Sequence, residues 1–194
     1  MPLADRPLPN RPHHAHWPRR LPRELAVPQT SLWFNLEVSR QRWPDRPAYI
    51  LFGRELTYRQ LFDQAEALAG WLRSRGLQRG DRVALFMQNL PQFIIAFYAA
   101  MRADAVVVPV NPMNKTDEFG HYITDPDTKV VITTADLAGI VAQADAALPG
   151  GPQIAALLVS QVGEYLPEAL PDDLQPSAPV AQWLTTPLPL PAGA

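Results

Sequence analysis

The chain has 194 residues and a formal net charge of −2 at pH 7, and 47% of its residues are hydrophobic. That length fits one domain or part of a larger one, and the hydrophobic fraction is sufficient for a core. The nearly balanced charge gives no case for a nucleic-acid partner, and the absence of cysteine excludes disulfides and thiolate metal sites. Without an apolar leader after Met1 or a run of about eighteen apolar residues, the sequence predicts a cytoplasmic protein with no membrane span.

Residues 1–30 are predicted to form an extended arm, because prolines are frequent there and no helical or strand period is visible. His13, His14 and His16 lie in this arm and suggest a metal site. We favour a solvated tail with incidental metal affinity, because no neighbouring carboxylate or cysteine completes a coordination shell.

The first helix is predicted over residues 32–42, with Thr30 or Ser31 as its N-cap and Pro44 as its end. Two short strands follow at 48–57. They flank a glycine and therefore predict a small hairpin.

The region from Thr57 to Pro109 has the clearest periodic pattern of the chain. Thr57 and Gln60 have the spacing of a capping box, apolar residues then recur with helical period, and Gly76 provides a left-handed stop. The apolar run at 83–87 is too short for a helix and predicts a buried strand.

A second helix is predicted over residues 90–103, with Asn89 as N-cap and Pro91 in its first turn. This helix is apolar on nearly all sides, which predicts burial on most of them. The β-branched run at 105–110 predicts another buried strand. Strand, helix and strand of this kind are typical of the α/β class, with an open, mostly parallel sheet and helices on both faces.

The elements expected after Pro112 are a helix at 117–124 with Thr116 as N-cap, a strand at 129–133, a helix at 135–147 and a strand at 154–159. From Gly163 the periodic pattern fades and prolines recur. We therefore divide the chain into an arm (1–30), an α/β subdomain (31–170) and a proline-rich linker or tail (171–194).

Several short motifs occur in a fixed order along the chain. They are L-T-Y-R-Q-L at 56–61, G-L-Q-R-G-D-R-V-A at 76–84, N-L-P-Q-F at 89–93, R-A-D-A-V-V-V-P-V-N-P at 102–112, K-V-V-I-T-T at 129–134 and E-Y-L-P at 164–167. Their order and spacing resemble the N-terminal region of the AMP-forming acyl-CoA synthetases, which are adenylate-forming ligases; the last motif resembles the bacterial fatty-acid branch. Asp104 stands where that family usually has glycine, so we expect a strained turn if the position requires positive φ.

The resemblance implies that a parent enzyme joins a fatty or aromatic carboxylic acid to CoA through an acyl-adenylate, using ATP and Mg²⁺. Members of this family use a Ser/Thr/Gly-rich phosphate loop ending in P-K-G, an aromatic-x-T-E segment, a D-x-x-x-R hinge and a lysine in a mobile C-terminal domain. These elements do not occur in the 194 residues. The resemblance therefore implies that this chain alone binds no cofactor and is inactive. Its expected partners are the remainder of its own catalytic domain and, in a homodimer, a second copy.

We accordingly predict no catalytic, cofactor-binding or metal-binding residue in the chain. The paired acids at 125/127 and 172/173 lie beside prolines, where helix breaking and solvation explain them. His121 has no partner at a suggestive spacing. Asn111 with Pro112 is expected to shape a strand exit; the alternative that the resemblance implies is that the pair lines a pocket on the acyl-substrate side.

Two other functions remain open at the level of the sequence. The chain could be a non-catalytic module that self-associates or binds a partner through apolar surface. It could also be a small nucleotide-binding α/β protein, although that function needs a glycine-rich loop which the sequence does not contain.

Overall fold

The computed structural model describes residues 11–24 and 27–190. The chain separates into two compact units, Met1–Thr30 and Ser31–Ala194. In the first unit the three histidines lie in or at the end of a 3-10 turn, Pro12–His16. Within the described ranges, no three His, Asp or Glu side chains come together in a way that could hold a metal ion. Helices long and apolar enough to cross a membrane are likewise absent from the described part.

The second unit alternates helices and strands. Its helices are α1 (Leu32–Arg42), α2 (Tyr58–Ser74), α3 (Pro91–Arg102), α4 (Thr116–Thr124), α5 (Ala138–Ala146) and α6 (Ala178–Thr185). Its strands are β1 (Pro47–Leu51), β2 (Arg54–Thr57), β3 (Arg82–Phe86), β4 (Val106–Val110), β5 (Thr128–Thr134) and β6 (Ala156–Ser160). Short 3-10 turns cover Val162–Tyr165 and Asp172–Leu174.

Strands β3 to β6 form a parallel sheet in the order β4-β3-β5-β6, and β1 pairs with β2 as an antiparallel hairpin. Helices α1, α2 and α3 supply the core on one side of the sheet, and α4 and α5 supply the core on the other. This arrangement confirms the predicted α/β class with helices on both faces.

Strand β3 lies in the middle of the sheet and contributes to both cores, because successive side chains of a strand point to opposite faces. Leu85 belongs to the core under α2 and α3, whereas Phe86 belongs to the core under α4. Both side chains are fully buried. Phe86 packs on Phe119 with ring centroids 4.5 Å apart.

Helix α2 begins and ends as predicted. The Gln60 amide N–H donates to Thr57 Oγ1 (3.2 Å), and the Thr57 amide N–H donates to Gln60 Oε1 (2.9 Å). At the other end Gly76 has φ +86°. Its N–H donates to the carbonyl of Arg73 (3.0 Å), and that of Leu77 donates to Leu72 (3.2 Å), which is a Schellman end.

Two predicted N-caps are wrong. Leu90, not Asn89, is the residue before α3, and it makes no side-chain cap; Asn89 instead accepts a hydrogen bond from the Tyr49 hydroxyl through its backbone carbonyl (2.8 Å). Lys115, not Thr116, precedes α4. Its N–H donates to the Glu118 carboxylate (2.8 Å), so the helix is capped from its own first turn.

The burial predicted for the second half of the Thr57–Pro109 region is only partly correct. Helix α3 buries one side, including Gln92, Ala96 and Ala99, while its remaining apolar side chains are half-buried. Strand β4 is an edge strand and Val106 is 48% exposed. A run of apolar residues occurs in edge strands and in central strands alike, because the position of a strand depends on which strands pair with it in the folded sheet.

Helix α5 begins at Ala138, three residues later than predicted, because the Ala135 N–H still donates to the Ser160 carbonyl (2.9 Å) and continues the pairing of β5 with β6. The segment expected to be a proline-rich linker contains α6. Pro179 lies in the first turn of α6, where the missing N–H is not needed. Leu184 of this helix is buried with Leu90 and Val162.

Candidate functional site

Ligands of open parallel sheets bind at the carboxyl ends of the strands. In this chain that end is formed by the residues that complete β3, β5 and β6. Residues 162–188 follow β6, and we call them the strap; Trp183 of the strap contacts Asp136 at this end, while Tyr165 and Leu166 contact Gln64 and Arg54. The strap includes α6 and is seated through Leu184 and Val162 against Leu90.

Gln92 lies shortly after the end of β3, at the start of α3. It occupies the second residue of α3 and is 7% exposed. Its Nε2 donates to the backbone carbonyl of Gln161 (2.8 Å), which ties α3 to the end of β6. Its Oε1 is buried and has no hydrogen-bond partner among the described residues.

Thr134 and Ser160 lie opposite each other at the ends of β5 and β6. Both hydroxyl oxygens are buried, and neither has a partner in the described part of the chain. The neighbouring Thr133 differs, because its Oγ1 donates to the Phe86 carbonyl at 2.6 Å. Two adjacent threonines therefore provide one satisfied and one unsatisfied hydroxyl.

Asp136 follows β5 and is half paired. Its Oδ2 accepts a hydrogen bond from Trp183 Nε1 of the strap (2.8 Å), while its buried Oδ1 has no partner within the described residues. Gln92, Thr134, Asp136 and Ser160 together form what we call the polar socket. The described residues contain five buried side-chain atoms without a partner; four belong to the socket and the fifth is Arg40 Nε in α1.

The strap is held at its base by Gln161. Its Nε2 donates to the Leu188 carbonyl (2.8 Å), and the Leu188 N–H donates back to its Oε1 (3.1 Å). Gly163 lies so close to α6 that a Cβ on it would be 2.3 Å from the Leu184 carbonyl oxygen. The strap is therefore seated against the sheet by specific close contacts.

The socket can accept hydrogen bonds but offers few donors. An amide oxygen and a carboxylate oxygen only accept, and the two hydroxyls can do either. Phosphate groups need backbone N–H donors or cations, so this set does not fit the phosphates of ATP. Since no nucleophile is paired with a base in the socket, we assign no bond-making step to it.

The acids at 125 and 127 lie at the amino end of the sheet, away from the socket. Asp127 accepts hydrogen bonds from Lys129 Nζ (2.9 Å) and Arg82 Nη2 (2.6 Å). The hydrogen bond from Lys129, together with the charges of Lys129 and Arg82, lowers the pKa of this carboxyl below its ordinary value of 3.8. Asp125 is exposed at the end of α4.

The other sequence candidates are also outside the socket. Asp172 and Asp173 are exposed in a 3-10 turn, and His121 is exposed with its ring edge toward Tyr122 at 6.3 Å. Asn111 Oδ1 accepts from the Met113 N–H (3.0 Å). This contact confirms that Asn111 shapes the exit of β4.

Sequence reasoning missed the socket, although a signal was present. Thr134 and Ser160 each come directly after a predicted apolar strand, at 129–133 and 154–159, and Asp136 follows two residues after Thr134. Polar side chains at neighbouring strand exits of a parallel sheet converge in space. These exits carry hydroxyl, amide and carboxylate side chains where a phosphate-binding site would have a glycine-rich loop.

Comparison with known proteins identifies the family. A family model described as AMP-binding enzyme matches residues 36–190. The long-chain-fatty-acid–CoA ligase of Bacillus subtilis is 36% identical over 123 residues, which are 63% of this chain and 22% of that protein. The chain thus spans about a fifth of the length of this curated relative.

Solved structures agree with this assignment. The N-terminal domain of FACL13 from Mycobacterium tuberculosis matches with a TM-score of 0.62 and 26% identity, covering 84% of this chain and 38% of that one. The fatty acyl CoA synthetase of the same organism matches with a TM-score of 0.61 and 28% identity, covering 75% and 30%. Since the family model covers well over half of the sequence, the chain belongs to the AMP-binding enzyme family and corresponds to the N-terminal region of its acyl-CoA ligase members.

Proposed function

We propose that this chain provides the N-terminal scaffold of an adenylate-forming ligase that activates a fatty or other hydrophobic carboxylic acid with ATP and transfers it to CoA. The isolated chain is not expected to catalyse either step. ATP, Mg²⁺ and CoA belong to the parent reaction, and the remainder of the catalytic domain is the principal partner.

The observation that carries this proposal is the family match over residues 36–190. The matched motifs occupy structural positions: the capping box of α2, the turn into β3, the start of α3 and the exit of β4. Named relatives that use long-chain fatty acids support the substrate class. The phosphate loop and catalytic lysine of the family are not in the sequence, which supports a scaffold role.

A chimeric enzyme tests the proposal. Residues 36–190 replace the corresponding segment of the Bacillus subtilis ligase, and fatty-acid-dependent exchange of pyrophosphate into ATP is measured. The chimera is expected to retain exchange, and the isolated 194-residue chain is expected to show none. Leu85→Asp in the chimera is the control, because a charge in the fully buried centre of β3 should abolish exchange together with folding.

A folded chimera without exchange would contradict the scaffold proposal. Exchange by the isolated chain would contradict the expectation that it is inactive. Both outcomes are judged on protein whose folding has been verified by circular dichroism.

The alternative function, a module that self-associates or binds a partner, is favoured by one observation. The outward side of α3 carries Phe93, Ile94, Phe97, Tyr98 and Met101, which are only half-buried. Sedimentation velocity separates the two functions. A dimer that is lost after Phe97→Glu would favour the module, whereas a monomer that binds no hydrophobic dye would count against it.

A further inference from the structure

We propose that residues 17–23 of the first unit, which we call the arginine loop, form a contact site for an anionic lipid surface. Its arginines bind the lipid phosphates, and Trp17 and Leu21 enter the boundary between headgroups and acyl chains. The inference goes beyond the ligase reaction and does not depend on the proposed function, because it concerns only the binding of this chain to a membrane surface.

The first argument is the distribution of charge along the chain. Although the net charge is −2, residues 1–30 contain five arginines and two acids and therefore carry +3, while the remaining residues carry −5. Every cation of this segment is an arginine, which binds phosphate through two parallel hydrogen bonds where lysine offers only a point charge. A basic segment on an otherwise acidic chain favours a negatively charged partner.

The second argument is the local structure of the arginine loop. The loop is closed by a hydrogen bond from the indole N–H of Trp17 to the carbonyl of Pro22 (3.2 Å). Within this closure the N–H of Leu21 donates to the carbonyl three residues earlier (3.1 Å), which forms a turn. Arg19 and Arg20 are the two central residues of that turn. Two adjacent cations therefore lie at the tip of a closed loop.

The third argument is the exposure of apolar side chains beside these cations. Trp17 is 36% exposed, Leu21 is 57% exposed, and every residue from 17 to 24 is exposed. Because the indole N–H is already paired within the loop, the Trp17 ring can leave water without losing a hydrogen bond. Exposed tryptophan and leucine next to arginine are typical of segments that bind at a membrane interface.

These features favour a lipid surface over another common polyanion, single-stranded nucleic acid. Proteins bind single strands by stacking bases on aromatic faces, and the aliphatic Leu21 offers no such face. The Trp17 ring is also flanked by His13 and His14, whose ring centroids lie 6.0 and 5.8 Å away. An exposed aliphatic side chain is stabilised when it leaves water, as it does in the apolar boundary of a bilayer.

Sedimentation of the full 194-residue chain with sucrose-loaded vesicles tests the inference. Vesicles of phosphatidylcholine containing about one-third phosphatidylserine are compared with vesicles of phosphatidylcholine alone, at about 0.1 M salt. Each arginine near an anionic surface contributes about a fivefold increase in partitioning. The partition coefficient is therefore expected to be at least about tenfold higher for the anionic vesicles, and added salt should reduce the difference.

A double variant tests the role of the cations at the tip of the loop. Arg19→Gln with Arg20→Gln should lower the partition coefficient for anionic vesicles by at least about tenfold. The matched control is Arg42→Gln with Arg79→Gln, which removes the same charge from exposed positions of the second unit. Because charges that lie beyond the Debye length from the membrane are screened, this control should change the coefficient by less than about twofold.

The apolar part of the contact is tested by Trp17→Ala with Leu21→Ala, which leaves every charge in place. This variant should lower the partition coefficient for anionic vesicles by at least about fivefold, because it removes apolar surface that the boundary layer would bury. A twenty-nucleotide oligouridine is the competing probe and should bind more weakly than the anionic vesicles at the same salt concentration. Circular dichroism verifies that all variants are folded.

Four outcomes would overturn the inference. The chain could partition equally into both kinds of vesicle, or the control variant could lose as much binding as the arginine-loop variant. Binding could be unchanged without Trp17 and Leu21, which would leave only a diffuse attraction between charges. Tighter binding to oligouridine than to anionic vesicles would make the partner a nucleic acid. None of these measurements depends on ligase activity, so failure of the proposed function would not affect them.

Discussion

The amino and carboxyl ends of the parallel sheet differ in whether their polar side chains have hydrogen-bond partners among the described residues. At the amino end Arg82 donates to the carbonyl of Pro126 and to the Asp127 carboxylate, which also accepts from Lys129. At the carboxyl end the socket atoms are buried and have no partner among the described residues. The two ends are formed by the same strands.

The difference separates a structural surface from a candidate functional one. Polar groups at the amino end satisfy one another and remain partly exposed, so they need no further ligand. Buried polar groups without partners are uncommon in native proteins and call for an explanation. Their concentration at the carboxyl end, where parallel sheets bind ligands, provides one.

The largest effect is expected from Gly163→Ala, which forces the strap away from its contacts at the carboxyl end. The new Cβ would lie 2.3 Å from the Leu184 backbone oxygen, a contact that requires backbone movement. We expect a loss of about 1–3 kcal/mol in the free energy of unfolding, measured by urea denaturation. Gly70→Ala is the control.

Gly70 lies inside α2 with open space around its Cα, so alanine there should add up to about 1 kcal/mol of stability through helix propensity. If both alanine variants changed stability in the same direction, the close contact of Gly163 would not be the cause.

A smaller effect is expected from Asp104→Gly at the amino end. Asp104 has φ +59° and ends α3 in the same Schellman pattern as Gly76 ends α2, since Ala105 donates to Ala100 and Asp104 to Met101. Glycine should relieve the strain and raise the free energy of unfolding by about 0.5–1 kcal/mol.

The reverse substitution, Gly76→Asp, supplies the matched test. No atom lies within 4 Å of a Cβ on Gly76, so only its φ opposes the change. Stability should fall by about 1 kcal/mol. Unchanged denaturation midpoints for both variants would show that the left-handed position imposes no strain.

The smallest effect is expected from Asp127→Asn, which weakens the exposed network of the amino end. Asparagine tolerates the φ of +54° at this position, so the change removes chiefly charge. Because folding lowers the pKa of Asp127, its contribution is fully present above the ordinary value of 3.8 and is lost as the pH falls through the folded pKa.

The wild type should therefore be the more stable protein near pH 7, and the two curves of melting temperature against pH should converge as the pH falls below the lowered pKa of Asp127. A difference that persists or grows in acid would show that Asp127 acts through something other than its charge.

Local signals in the sequence were sufficient to predict most of the helices and strands. The capping box of Thr57 and Gln60, the glycine stop at Gly76 and the apolar runs of β3 and β5 all lie where periodicity and turn chemistry predict them. Errors occurred where the deciding contact is distant in the chain. Asn89 was predicted to cap α3, but it does not. Its backbone carbonyl accepts a hydrogen bond from the hydroxyl of Tyr49, which lies forty residues earlier.

The family resemblance and the α/β class were predictable from the sequence alone, because the order of the motifs and the hydrophobic period are properties of the chain itself. The tertiary structure decided that β4 is an edge strand, that α6 packs against Leu90 and Val162, and that the socket atoms have no partner among the described residues. Burial and hydrogen-bond satisfaction depend on residues brought together from distant positions. A threonine that is paired and one that is not are therefore indistinguishable in the sequence, as Thr133 and Thr134 illustrate.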